Sequence, residues 1–219
     1  MITLPPMPER IARLHRDERG YPVPWFICWM DGAMPVPAGQ GKPDFRVIGP
    51  NRLAEAYNNG RCWICGGSMA GHSKVFVIGP MCVVNRVTSE PPNHRECAEF
   101  AAKACPFMIN PREKRNNKNM IDNPVVAGEM IPRNPGAVAL YQTAKGKPFQ
   151  AGQGVLFQLG KPIRVDWYAE GRVATRAEIE ASIDSGLPLL IDMAKKQGMD
   201  AVRQLAYMHS EAMTLLPAA

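Results

Sequence analysis

Residues 62–97 read CWICGGSMAGHSKVFVIGPMCVVNRVTSEPPNHREC, and this stretch decides what the chain folds around. It begins with a Cys-x-x-Cys pair, Cys62 and Cys65, and it ends with a His-x-x-Cys pair, His94 and Cys97. Structural zinc takes thiolate sulfur and imidazole nitrogen as ligands, and four of them complete its tetrahedral shell. The spacing therefore predicts one zinc ion held by all four residues.

The residues between the two pairs predict a turn followed by a β-hairpin. Gly66-Gly67 comes directly after the first pair and gives the backbone the freedom that a tight metal-binding turn requires. Lys74–Ile78 and Cys82–Val87 are rich in β-forming residues and flank Gly79-Pro80, a pair typical of turns. We therefore expect the chain to run as two adjacent antiparallel strands before it reaches the second pair of ligands.

A helix is predicted to carry the second pair. Asn93, with Glu96 three residues later, resembles a capping box and predicts a helix that continues to about Lys103. Helical residues three apart share one face, so His94 and Cys97 could hold the same ion. The positive end of the helix dipole also favours the thiolate form of Cys97.

A metal-binding turn, a hairpin and a helix with two ligands in its first turn are together similar to a treble-clef zinc finger. Four protein ligands leave no open coordination position for a substrate, so the zinc ion is predicted to be structural. In a small segment with a thin core, such an ion supplies much of the folding energy.

The composition bounds the class of protein and its compartment. The 219 residues are 46% hydrophobic and 21% charged, as in soluble globular proteins, and no run approaches the roughly 18 consecutive apolar residues of a membrane span. Residues 1–10 lack the apolar core of a secretory signal, so we expect a cytoplasmic protein. Thiols stay reduced there, so the six cysteines favour metal binding over disulfides.

We predict an α+β fold in which a treble-clef-like zinc module precedes a small antiparallel sheet with C-terminal helices. Residues 1–115 form the zinc-binding module, with an N-terminal aromatic segment, and residues 116–136 form a linker or exposed loop. Residues 137–219 are predicted to form a β-hairpin and three helices. Thr175-x-x-Glu178 is a capping box that marks the start of the first of these helices.

The charge makes a polyanionic partner plausible. The formal net charge is +6, a modest excess spread along the chain, and a basic loop follows the predicted zinc helix. The candidates for phosphate contact are Arg86, Arg95, Arg112, Lys114, Arg115 and Lys118. A charged, asparagine-rich loop can equally be a solvated surface. The favoured function is a non-catalytic, zinc-stabilised protein that binds nucleic acid or a host protein, and a pure protein–protein adaptor or inhibitor is an alternative.

Similarity to the treble clef brings one catalytic alternative, the HNH-type nucleases. In those enzymes a hairpin histidine activates water and a residue on the helix helps to hold a divalent cation. Here the predicted hairpin carries no histidine; His72 precedes it, and Asn85 and Arg86 are poor general bases. The sequence also lacks H-E-x-x-H, G-x-S-x-G, P-loop and dinucleotide-binding motifs. It therefore favours a role other than catalysis and predicts no dinucleotide cofactor.

Two segments resemble an uncharacterised protein family of bacteria and their phages. The first is FVIGPMCVVNR at residues 76–86 with the EPPNHRECAE that follows at residues 90–99, and the second is GRVATRAE at residues 171–178 within a similar C-terminal tail. The resemblance implies a phage or mobile-element setting, with nucleic acid or host machinery as the partner. It implies no established activity.

Overall fold

Helices and antiparallel strands make up the fold of the residues that the computed structural model describes, 4–111, 135–152 and 154–218. The helices are α1 (Glu9–Ala12), α2 (Arg52–Asn58), α3 (Pro80–Asn85), α4 (Arg95–Ala104), α5 (Pro106–Ile109), α6 (Arg176–Gln197) and α7 (Met199–Met213). The strands are β1 (Ile27–Asp31), β2 (Met34–Val36), β3 (Lys42–Ile48), β4 (Lys74–Ile78), β5 (Val87–Thr88), β6 (Val138–Thr143), β7 (Gly146–Ala151), β8 (Gly154–Leu159), β9 (Arg164–Ala169) and β10 (Arg172–Val173). The predicted mixture of helices and antiparallel sheet is confirmed.

A four-stranded antiparallel sheet in the order β10-β9-β6-β4 forms the centre of the fold. Its register places Phe76 of β4 opposite Tyr141 of β6, and Ala139 of β6 opposite Trp167 of β9. Side chains alternate between the two faces of a strand, so a sheet covered on both faces needs apolar residues at consecutive positions. This explains the unbroken buried runs 75–78 and 138–141.

Helices cover both faces of this sheet. On one face, Val75, Val77 and Leu140 pack against Ala98 and Ala102 of α4. The opposite face carries the largest core, which contains Phe76, Tyr141 and Trp167 together with residues of α3, α6 and α7. The helix that bears two of the predicted zinc ligands therefore lies directly against the central sheet.

Two smaller sheets flank the centre. The N-terminal strands form a three-stranded sheet in the order β2-β1-β3, and the other sheet has the order β5-β8-β7. The predicted linker, residues 116–136, lies almost entirely outside the described residues. On either side of it, β4 and β6 pair within one sheet.

The β-hairpin predicted between the two pairs of ligands is wrong in its second strand. The residues after Gly79 form the helix α3, while β4 pairs with β6 and β5 pairs with β8. Pro80 stands at the first helical position, where its fixed φ suits a helix and its missing N–H is not required. The buried residues Val83 and Val84 belong to the main core, so tertiary packing overrides their preference for strands.

The predicted capping box at the start of α4 is also wrong. The N-cap residue is His94, and it makes no side-chain capping hydrogen bond. Asn93 is buried, and its side chain bonds other segments of the chain. Glu96 instead accepts a hydrogen bond from Arg10 Nε at 2.9 Å, which ties α4 to the N-terminal segment.

The C-terminal residues form two helices where three were predicted. α6 continues through Pro188 to Gln197, so the apolar residues on either side of the proline belong to one helix. Gly186 packs so closely on α3 that a Cβ there would lie 2.8 Å from Met81 Cγ. The capping box at the start of α6 is confirmed: Thr175 Oγ1 accepts from the Glu178 amide at 3.3 Å, and the Glu178 carboxylate accepts from the Thr175 amide at 2.8 Å.

This capping box should make the stability of α6 depend on pH. Hydrogen bonds from Arg172 and then from Thr175 lower the pKa of Glu178 to about 2. A lowered pKa gives a stabilisation that is complete above the unfolded pKa, about 4.3, and is lost as the pH falls towards 2. We expect Glu178→Gln to reduce the free energy of unfolding at neutral pH, because the carboxylate that accepts these hydrogen bonds is lost. The reduction should be only about 0.5–1 kcal/mol, because solvent partly screens the site.

Chemical unfolding of the wild type and of this variant between neutral pH and pH 2 measures the effect. The difference in free energy of unfolding between wild type and variant should shrink to zero as the pH falls below the unfolded pKa of Glu178 towards 2. Glu180→Gln is the matched control, since Glu180 lies on the same helix in an i,i+4 ion pair with Arg176. A difference that stays constant with pH would contradict the prediction.

Candidate metal centre

A tight turn holds the first pair of candidate ligands. The Cys62 amide donates to the Gly67 carbonyl at 2.8 Å, and the Gly66 amide donates back to the Cys62 carbonyl at 2.8 Å. Gly66 has a φ of +71°, in the region that favours glycine, and a Cβ there would lie 2.5 Å from the Trp25 ring. Both the backbone conformation and the close approach of Trp25 therefore require glycine at this position.

The start of α4 holds the second pair. His94 is the N-cap residue and Cys97 lies in the first turn, so both side chains face the turn at Cys62 and Cys65. The Cys65 Sγ to His94 Nδ1 distance is 3.3 Å, and the Cys97 Sγ to His94 Nδ1 distance is 3.9 Å. All four donor atoms lie within 4.8 Å of one another.

These distances fit a single tetrahedral ion. Zinc bonds of about 2.3 Å to sulfur and about 2.0 Å to nitrogen place sulfur and nitrogen ligands about 3.5 Å apart. Cys62 and Cys97 have no exposed surface, His94 is 2% exposed, and Cys65 is half-buried. Cys62, Cys65, His94 and Cys97 could therefore hold one metal ion, as the sequence predicts.

The surrounding backbone orients the ligands. The Gly67 amide donates to Cys65 Sγ at 3.4 Å, and the His94 amide donates to Cys62 Sγ at 3.4 Å, so two thiolates would have N–H partners. The Ser68 carbonyl lies 2.9 Å from His94 Nε2. A carbonyl can only accept, so Nε2 carries the proton and Nδ1 is left with its lone pair towards the sulfurs.

The three thiols compete for charge. Hydrogen bonds from Cys65 and Cys97 lower the pKa of Cys62 to about 2. The hydrogen bond with Cys62 raises the pKa of both Cys65 and Cys97, so the cluster by itself favours a single thiolate. A bound cation removes this conflict, because it stabilises all three thiolates together.

Asn93 joins the turn that carries Cys62 and Cys65 to the central sheet. Its Oδ1 accepts from the Ile64 amide at 3.1 Å, and its Nδ2 donates to the carbonyls of Val75 and Pro91 at 3.3 and 3.4 Å. Its backbone also pairs with Val75 in both directions. No local pattern marks Asn93 for this role, and its sequence position beside His94 is the one signal that could have drawn attention to it.

The remaining cysteines lie outside the cluster. Among the described residues, the group of potential metal ligands that converges contains none of Cys28, Cys82 and Cys105. Burial raises the pKa of the Cys82 thiol to about 12 and also raises that of Cys105, so neither is a ready thiolate.

The structure places two of the predicted nucleic-acid contacts in ion pairs. Arg86 lies 3.6 Å from Glu211 of α7, and Arg95 bonds Asp166 of β9 at 3.0 Å. Each links elements that are distant in sequence. Arg112, Lys114, Arg115 and Lys118 lie outside the described residues, so the contact of these six residues with nucleic acid stays a prediction.

No protein-family model, curated protein or solved structure matches the chain. The resemblance to a bacterial and phage family and the treble-clef identity therefore gain no support from known proteins. Within the described ranges, no helix combines the length and apolar character needed to cross a bilayer.

Proposed function

We propose that the chain is a non-catalytic binding protein in which one structural zinc ion is held by Cys62, Cys65, His94 and Cys97. The observation that carries the proposal is the convergence of these four donor atoms in one buried cluster. Three thiolates and one imidazole are a usual ligand set for structural zinc, and soft sulfur ligands disfavour magnesium, calcium and manganese. Four protein ligands complete the shell, so the ion would act by holding the fold.

The ion would hold three segments in place. Two of them are the metal-binding turn and the start of α4. The third is the N-terminal segment, which reaches the site through the bond between Arg10 and Glu96. The arrangement keeps the turn and the ligand-bearing helix of a treble-clef finger. A strand and the short helix α3 replace the hairpin between them, so we propose a treble-clef-like site rather than a complete finger.

We propose nucleic acid as the partner. The net charge of +6 favours polyanions, and lysine and arginine supply most of the phosphate contacts in known complexes. A zinc-stabilised scaffold presents such side chains on a rigid surface without any catalytic group at the metal. A protein partner is the alternative that the experiment separates.

Metal analysis combined with nucleic-acid binding at two salt concentrations tests both halves of the proposal. We expect close to one equivalent of zinc per chain, and binding that weakens strongly between about 50 and 200 mM salt. Clearly less than one equivalent of zinc under metal-replete conditions would overturn the structural site. If the protein holds one equivalent of zinc but shows no binding to nucleic acid at low salt, the proposed nucleic-acid partner is wrong and a protein partner is favoured.

A further inference from the structure

Four basic residues from separate parts of the chain lie at the end of the central sheet that contains Thr143, with Lys74 and Arg164 on opposite faces of the sheet. Lys74 is the register partner of Thr143 across the β4–β6 pair. Thr143 Oγ1 accepts from the Lys145 amide at 3.3 Å and donates to the Lys161 carbonyl at 2.9 Å. One position earlier, Gln142 is the register partner of Arg164. We call Lys74, Lys145, Lys161 and Arg164 the basic rim.

The charge of the basic rim is largely uncompensated. Its three lysines form no ion pair with any residue in the described part of the chain; Lys145 and Lys161 are exposed and Lys74 is half-buried. Arg164, whose side chain is 60% exposed, bonds Asp166 at 2.8 Å. Asp166 also bonds Arg95, and Arg95 lies 3.6 Å from Glu99 as well, so two carboxylates face these two guanidinium groups and the uncompensated charge is that of the three lysines.

A polar cleft of about 470 Å³ lies beside the basic rim and is bounded on one side by the start of α4. Its wall includes His72, Ser73, Gln142 and Arg164, together with Arg95 and the carboxylate of Glu96. Within the described ranges, the side chains of Ser73 and Gln142 have no hydrogen-bond partner. The His72 ring makes only a T-shaped contact with the His94 ring, with the ring centroids 4.6 Å apart. The cleft thus offers polar groups without partners, and Arg164 connects it to the basic rim, whose three unpaired lysines lie outside its wall.

We propose that the basic rim and this cleft form the surface that contacts the phosphodiester backbone of a nucleic acid. The inference rests on the proposed function and gives it a location. Protein–protein interfaces are depleted in lysine and enriched in aromatic residues, whereas lysine, arginine, serine and glutamine are common phosphate contacts. The composition of this surface therefore favours nucleic acid over an acidic protein.

The metal centre would stabilise this surface through α4. Arg95 begins that helix and bonds Asp166, which in turn bonds Arg164 of the basic rim. Because the candidate ligands His94 and Cys97 are the N-cap residue and a first-turn residue of α4, metal binding would fix the position of the helix that borders the cleft.

A charge-matched pair of triple variants tests the location. K74Q/K145Q/K161Q removes the lysines of the basic rim, and K42Q/K195Q/K196Q removes three exposed lysines elsewhere. Affinity for fluorescent single-stranded and duplex DNA of mixed sequence is measured over a salt series. We expect the rim variant to lose affinity on the order of tenfold at low salt, and its slope of log K against log salt to fall by about 3, one for each phosphate contact. The control variant should keep the wild-type slope.

The outcomes separate this inference from the function on which it rests. If wild-type protein binds DNA and both triple variants lose the same affinity, net charge alone explains binding and the location is wrong. If the wild type and the rim variant bind DNA with equal affinity, the basic rim is not the binding surface. A wild-type protein that binds no DNA at low salt overturns the nucleic-acid partner as well. If polyglutamate displaces the labelled DNA as effectively as unlabelled DNA does, the surface is assigned to an acidic protein instead. Zinc content and thermal unfolding confirm that each variant is folded.

Discussion

Replacement of Cys97 by serine is expected to abolish stoichiometric zinc binding and to unfold the segment around α4. Cys97 has no exposed surface and packs with Ile11, Cys62 and Phe100, so the cluster is both a candidate ligand set and a small core. Structural zinc contributes on the order of 10 kcal/mol in small domains, as much as the whole stability of a typical protein. Serine is a poor zinc ligand and would leave a polar group in this core.

Zinc content after dialysis, together with circular dichroism and thermal unfolding, measures the effect. Chelation of the metal from wild-type protein should produce the same loss of structure. Cys105→Ala is the matched control, because Cys105 lies at the end of the same helix but outside the cluster. It should retain about one equivalent of zinc. A Cys97→Ser protein with wild-type zinc affinity would refute the assignment of this ligand.

Replacement of Asn93 by alanine is expected to weaken zinc binding by about 10- to 100-fold, although Asn93 is not a ligand. The substitution leaves the buried Ile64 amide without its acceptor and removes the side-chain link from the turn to Val75 and Pro91. A buried, unsatisfied N–H costs about 1–3 kcal/mol, and the small cavity adds to this. Free energy of unfolding and competition with a zinc chelator give the two readouts.

Ser68→Ala is the matched control for Asn93. Ser68 holds the His94 ring through its main-chain carbonyl, which alanine retains. This exposed substitution should leave zinc affinity unchanged within about threefold. If Asn93→Ala also stays within that range, the hydrogen bonds of Asn93 serve the sheet alone and do not position the metal-binding turn.

The ligands could be predicted because their information is local. Two residues three apart can form one turn or one helical face, so the spacing of Cys62 and Cys65, and of His94 and Cys97, already places each pair. The capping box at Thr175 is confirmed for the same reason. Tertiary contacts between segments distant in sequence bring the two cysteine and histidine pairs together, and a short sequence motif does not encode such contacts.

The elements that were predicted wrongly depend on tertiary partners. Gly79-Pro80 predicts a turn, but a proline also suits the first position of a helix, and burial against α6 and α7 selects the helix. Asn93 resembles a cap when only its neighbours are considered, but the bonds it makes reach Ile64 and Val75.

The same limit applies to charged residues. Arg86 and Arg95 stand near the predicted zinc helix, yet they bond carboxylates on α7 and β9 that only the fold brings close. The lysines of the basic rim are scattered along the chain and form no charge run. Sequence therefore predicts the metal site better than the surface through which the protein would act.

The pairing of β4 with β6 affects how the chain is made. β4 belongs with the metal site in sequence, but its strand partner is synthesised about 60 residues later, which takes several seconds at about 5–20 residues per second. During that interval the apolar residues 75–78 lack their neighbouring strand, and an unpaired apolar strand invites aggregation. A nascent chain that has already bound zinc would have α4 in position over one face of β4. Zinc supply during translation would then govern the yield of native protein as well as its final stability.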